Sequence, residues 1–384
     1  MWFNPDIYQF LDRIFTEVVV GSVKKICYYI SDYGFGHASR SIAVIRKILT
    51  QTDDVHVTVK CNSPFAFLKD SLEGTGVECI CRQNDVGVIL KEGSIEVDCE
   101  QTKILFEQWM ATWPEYISEE AEYLQRDNID LVISDIVPQA FIAANIAGLP
   151  SIAVSNFTWH LIFANLFGIC PETDALLDAY EKATCAMRLP FHEPMDVFSD
   201  ICDISLISRD ITVSRHEMRE SLGIGEETVV FINIPETEKY ITDEFISVVL
   251  HENIRVILPT NCWAEIPNSI KIPDYVTESQ NWIAMCDLVV SKVGYSIVSE
   301  AVRGNVPLLL LRRKGFAEDN WIIEAVEGDG FGRGITMPEL KSGKWLEDIG
   351  DLDAGQDMNL NCKYCDYKYD GTDKILDTIK LMIL

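Results

Sequence analysis

From Val23 onward the chain alternates short apolar runs with segments whose apolar residues recur every three or four positions. The runs at 25–30, 55–60, 76–80, 130–134 and 151–155 have the length and β-branched content of buried strands. The segments at 38–49, 101–126 and 138–147 have helical spacing, and a further short helix begins at Pro64. A second series follows, with strands at 229–234, 255–258, 288–290 and 308–311 and helices at 243–250, 281–284, 296–303 and 316–327. Such alternation predicts parallel sheets covered by helices on both faces, with ligands bound beyond the carboxyl ends of the strands. Between the two series, 186–216 is richer in proline and polar residues, as in Arg188-Leu189-Pro190-Phe191-His192-Glu193-Pro194, and reads as a linker. The pattern therefore divides into an α/β domain at 23–200, a second at 201–345, and a tail at 346–384 whose helix, 372–384, folds back on the first domain. Residues 1–22 form a helical extension with an apolar stripe (Ile7, Phe10, Leu11, Ile14, Phe15, Val18) suited to packing on the body of the protein or on a second copy in a homodimer.

Length and composition agree with two cores: 384 residues are long for one, and 48% of them are hydrophobic. The net charge of −28, from 60 acidic and 32 basic residues, argues against a nucleic-acid backbone or an anionic membrane surface as partner. Apolar runs stop at buried-strand length, well short of the roughly 18–20 residues of a membrane span. Twelve cysteines without a leader-like segment read as thiols in a reducing compartment, so a cytoplasmic location is expected. Cys362-Lys363-Tyr364-Cys365 is half of a zinc site, and Cys61, Cys79, Cys81 and Cys99 are partners that only the fold could supply; the alternative is ordinary surface thiols. The histidines offer no HxH or HExxH spacing, so neither a metal nor another cofactor is expected.

The chemistry concentrates at two strand-to-helix turns. In the first, Tyr33-Gly34-Phe35-Gly36-His37-Ala38-Ser39-Arg40 follows an apolar run and places His37 at the opening of a helix. There the helix field favours a neutral imidazole able to accept a proton. Asp135 ends a later strand of the same sheet and emerges at the same edge, where a carboxylate can orient the imidazole; the alternative is that both residues only cap helices. In the second turn, Lys292, Gly294, Tyr295 and Ser296 present open N–H groups and a hydroxyl to a diphosphate. Glu300, four residues after Ser296, has the position of a ribose-binding acid, or is a solvated helix acid. Glu318 and Asp319 begin a helix after Arg312-Arg313-Lys314, either capping it or holding sugar hydroxyls. Asn156 and Trp159, in Ser155-Asn156-Phe157-Thr158-Trp159, suit an acceptor wall, although Phe157 and Trp159 serve equally as core.

At these turns the chain resembles the GT-B glycosyltransferase superfamily. Ser291 to Pro307, with Gly294 at the turn, Glu300 on the helix and Gly304-Asn305-Val306-Pro307 before the next strand, looks like its donor motif. Gly34-Phe35-Gly36-His37 is similar to the amino-terminal glycine loop of the peptidoglycan glucosaminyltransferase and of UDP-glycosyltransferases. A closer resemblance is to the glycosyltransferase-like amino-terminal region of plant L-arabinokinases. It rests on Tyr33 to Arg40, Ser134-Asp135-Ile136-Val137-Pro138, Ser155 to Trp159, Arg188-Leu189-Pro190 and Ser291 to Tyr295. The resemblance spans roughly 23–345. It implies two Rossmann-like domains with parallel sheets facing a central cleft. It also implies a nucleoside diphosphate sugar, with UDP as nucleotide, on the second domain and a hydroxyl or amine acceptor facing the first. The family's base falls on His37, its partner acid on Asp135 and its ribose acid on Glu300. The chain departs from the pattern after Glu318, where Asp319 and Asn320 replace a glutamine, and the resemblance does not extend to a kinase domain, so kinase activity is not implied. Two other readings remain open at this point: a nucleotide-sugar epimerase or hydrolase, and a non-catalytic sugar-nucleotide sensor.

Overall fold

The computed structural model describes residues 23–346 and 370–384. The apolar stripe at 7–18 and the Cys362/Cys365 pair lie outside the described residues. The first sheet contains strands β1 Lys24–Ile30, β2 Val55–Cys61, β3 Glu78–Cys81, β4 Leu131–Asp135, β5 Ser151–Ser155, β6 Cys185–Arg188 and β7 Ile201–Asp203. The second contains β8 Thr228–Asn233, β9 Ile254–Leu258, β10 Ser269–Lys271, β11 Leu288–Lys292, β12 Leu308–Leu311 and β13 Gly332–Ile335. Their orders are β3-β2-β1-β4-β5-β6-β7 and β10-β9-β8-β11-β12-β13. Every pairing is parallel.

The central strands carry few polar side chains because both their faces are covered. Ile26, Tyr28, Ile30, Val289 and Leu310 are all buried. In each sheet the strand order reverses once, between β1 and β4 and between β8 and β11. A crevice opens beyond the carboxyl ends of the strands at such a reversal. The two glycine turns follow β1 and β11, so each lies at its sheet's reversal point.

The stretch at 186–216 is not simply a linker. It contributes β6 and β7 to the first sheet, pairing Ile152–Ser155 with Cys185–Arg188 and then Ala186–Arg188 with Ile201–Asp203. Its prolines fall in the loop between these strands, where no ladder hydrogen bond is lost. The helix Gly371–Ile383 packs on the helix Phe35–Gln51 of the first domain, with Lys47 Nζ 2.6 Å from Asp373 Oδ1.

The domains also exchange side chains. A turn at 90–97, closed by a bridge between Leu90 and Val97, buries Ile95 in the second domain's core beside Tyr240 and Leu311. In return, Phe316 enters the first domain's aromatic cluster with Phe157 and Trp159. The amide of Val97 donates to the carbonyl of Lys314 at 3.1 Å along the same seam.

Candidate active site at the domain interface

Two glycines shape the first turn, and the backbone demands glycine only at the first. Gly34 has φ +77°, a conformation that L side chains rarely adopt, and caps the helix Phe35–Gln51. At Gly36 an added Cβ would lie 3.4 Å from Ser296 Oγ, across the cleft. Ser296 Oγ donates to the Gly36 carbonyl at 2.6 Å, so the two turns touch. Phe35, between the glycines, is 59% exposed and packs edge-on against Phe67.

His37, in the first turn of that helix, is buried with its Nδ1 2.7 Å from Asp135 Oδ1. Asp135 is fully buried at the end of β4, and it receives more than the histidine. Arg40 donates to it twice, Nε to Oδ2 and Nη2 to Oδ1, each at 2.6 Å, and Ser41 Oγ donates at 3.2 Å. Burial pushes the Asp135 carboxyl up, but the charges and hydrogen bonds of Arg40 and His37 outweigh it and hold the group at about 2. Asn156 Oδ1 accepts from Arg40 Nη1 at 2.8 Å.

The second turn starts the helix Tyr295–Arg303, whose N-terminus has no side-chain cap. The N-cap residue, a glycine, offers no side-chain acceptor to the first N–H groups of this helix. Gly294 has φ 178°, ordinary extended backbone, so the conformation does not demand glycine. A Cβ there would meet only Lys292 Nζ, at 4.0 Å, and the missing side chain instead leaves space beside that ammonium. Burial first, then the charge of Arg313, pulls Lys292 down to about 8.

The other expected donor residues are more heavily engaged than their spacing suggests. Tyr295 is buried, its hydroxyl accepting from the Ile207 amide at 3.2 Å and its ring lying 5.2 Å from the Arg40 guanidinium. The Ser296 hydroxyl is committed to Gly36. Glu300 is 5% exposed rather than solvated. Its Oε1 accepts from Ser39 Oγ at 2.8 Å and from Arg209 at 2.8 and 3.0 Å. Arg209 also binds Ser279 Oγ and the Thr277 carbonyl.

Glu318 and Asp319 do not cap their helix, which has Ala317 at its N-cap. Asp319 pairs with Arg313, Nη2 to Oδ1 at 2.5 Å, and Glu318 bridges the domains by accepting from Asn156 Nδ2 at 2.9 Å and from Arg313 Nη2 at 3.3 Å. Arg313 lies 3.8 Å over the Phe316 ring and donates to the Tyr33 hydroxyl at 3.2 Å.

Trp159 and Phe157 are core residues here. Trp159 is fully buried against Phe163, and its indole donates to Asp85 at 2.9 Å. Burial and the nearby charge of Asp32 push the Asp85 carboxyl up to about 7.

Three arginines thus carry much of the site without having been singled out from the sequence. Arg40 stands three residues after His37 and hence on the same helical face, a signal that was legible. Arg313 precedes Asp319 in a basic loop, where a solvated reading is equally natural. Arg209 lies in an irregular segment with no periodicity to mark it.

A family model described as glycosyl transferase family 1 matches residues 24–193. The L-arabinokinase of Arabidopsis thaliana is 28% identical over 356 residues, which is 86% of this chain and 32% of that protein. The chain therefore spans about a third of that relative's length. The solved glycotransferase of kitacinnamycin superposes with a TM-score of 0.66 at 14% identity, covering 94% of this chain and 99% of its own. The chain has the GT-B fold, two Rossmann-like domains built on parallel sheets. Arabidopsis thaliana UGT89C1, solved in complex with UDP, gives a TM-score of 0.63 at 13% identity, covering 94% of this chain and 100% of its own. At such identities the agreement concerns the fold, and it extends across both domains. Among the described residues, no helix is long and apolar enough to cross a membrane.

Proposed function

We propose that the protein transfers a sugar from a nucleoside diphosphate sugar, with UDP as the favoured nucleotide, to a hydroxyl or amine acceptor without using a metal. The observation that carries this reading is the meeting of the two reversal-point turns. One brings a histidine whose Nδ1 is held by a buried carboxylate, and the other an uncapped helix start beside Lys292. A fold neighbour solved with UDP supports UDP as the nucleotide.

In this reading His37 Nε2 takes the proton of the acceptor. The acceptor atom bonds to the anomeric carbon as the bond from that carbon to the diphosphate oxygen breaks. The electron pair leaves with the diphosphate, and Lys292 and the N–H groups at 294–296 stabilise its charge. Glu300 keeps Oε2 for a ribose hydroxyl while Oε1 holds Ser39 and Arg209. A positive charge is thus supplied to the leaving group by a side chain.

The test has two stages. Thermal shift with a panel of nucleoside diphosphates and their sugars should single out one nucleotide, because a ligand of the folded state raises stability by mass action. Release of that nucleotide from its sugar conjugate is then followed across acceptors. His37→Ala should lower turnover by about 10²–10⁴ while nucleotide affinity holds. Full turnover in that variant would sink the base assignment. Solvent deuterium in the sugar would move the reaction to epimerisation, and binding without turnover across acceptors would make the protein a sensor.

A further inference from the structure

The His37 ring is governed by more than Asp135. Arg40 is 2% exposed and grips both oxygens of Asp135, while its Nη2 also stands 2.9 Å from His37 Nδ1. These contacts decide where the ring proton lies. A carboxylate oxygen 2.7 Å from a bare ring nitrogen would set lone pair against lone pair. Nδ1 therefore carries the proton and donates to Asp135 Oδ1, and the Arg40 N–H is directed to that oxygen rather than to the ring. The nitrogen left bare is Nε2.

The same guanidinium is linked to the other domain through Asn156. Its Nη1 donates to Asn156, and Asn156 donates to Glu318 at the start of the helix Glu318–Gly328. Glu318 is in turn held by Arg313. All members of this chain, from His37 through Asp135, Arg40, Asn156 and Glu318 to Arg313, are buried. A buried polar network with each member satisfied fixes orientation, because any rotation strands a group away from water.

We propose that Arg40 is a positioning residue for the proposed base. Its fork holds the Asp135 carboxylate in the one orientation that keeps His37 as the Nδ1–H tautomer. Through Asn156 it ties that orientation to Glu318, so the base is aligned when the two domains meet. The proposal rests on the reading of His37 as base, but it is tested without turnover.

The measurement is the ring-nitrogen NMR spectrum of the full chain labelled with ¹⁵N-histidine, with His37 assigned by its loss in His37→Gln. With the ring neutral, the wild type should show a protonated Nδ1 and a bare Nε2. Arg40→Lys keeps the charge but loses the two-pronged grip. It should give a mixture of the two tautomers. Asn156→Ala removes a neutral amide and strands no charge in Asp135, so it remains informative if Arg40→Lys does not fold. It too should shift the His37 resonances toward the mixture. A wild-type pattern in every variant that folds, or an Nε2–H tautomer in the wild type, overturns the proposal. If His37→Ala retains turnover while the tautomer still responds to Arg40, the base reading has failed and the positioning has not.

Discussion

Replacing Asp135 by asparagine changes no volume and removes one charge from a place that water does not reach. The native carboxylate is fully buried and accepts from Arg40 Nε and Nη2, from Ser41 and from His37. An asparagine offers one oxygen to these donors and turns an NH₂ group toward one of them. Arg40, itself buried, is then left without its counter-charge. Breaking one side of such a pair costs about 3–5 kcal/mol, far above the 0–1 kcal/mol of a surface ion pair. Asp135→Asn should therefore lower the unfolding free energy by an amount in that range, read as a urea midpoint reduced by that energy divided by an unchanged slope. The double variant Arg40→Met/Asp135→Leu should recover most of the loss, since removing both charges also removes the need to desolvate them.

A second arm reads the same group by pH. The folded Asp135 sits at about 2 against an ordinary 3.8, so its contribution is fully present above about 4 and is lost as pH falls toward 2. The shift corresponds to about 2 kcal/mol. Asp135→Asn should lack that part of the acid sensitivity. A single variant within about 1 kcal/mol of wild type, or an unchanged acid profile, would refute the claim that this carboxylate is the counter-ion of a buried arginine.

Three more substitutions probe the donor side and the domain seam. Lys292 is charged below about 8 and neutral above it, so UDP affinity should decline as pH rises through that value. Lys292→Met should cost about 1.5–3 kcal/mol of binding and abolish that decline; calorimetry at pH 7 and 9 decides it. Glu300→Gln should lower both stability, by weakening the Arg209 pair, and UDP affinity by about ten- to a hundredfold. Lower stability with equal affinity would confine Glu300 to that pair. Ile95→Ala should destabilise by about 2–5 kcal/mol, because its side chain fills the other domain's core; an unchanged melting temperature would show that the 90–97 turn is not a latch.

The alternating pattern by itself determined most of the fold. Strand β5 at Ser151–Ser155 and the helix Pro138–Ala147 fall where the periodicity places them, because a parallel strand covered on both faces must read as a continuous apolar run. The sequence also located both turns, since a glycine between an apolar run and a helical segment marks the point where the backbone leaves the strand and tightens into the helix. It did not reveal β6 and β7 or β13, whose short and partly polar stretches become strands only when the neighbouring strand supplies hydrogen bonds. Nor did local pattern mark Arg209 against Glu300, 91 positions apart, or Asn156 against Glu318, 162 apart. Residue type says that a glutamate can bind a ribose, cap a helix or neutralise an arginine. Which of these competes, and for which oxygen, depends on what the fold brings within hydrogen-bond distance in a place shielded from water, and that is decided only when the two sheets are set face to face.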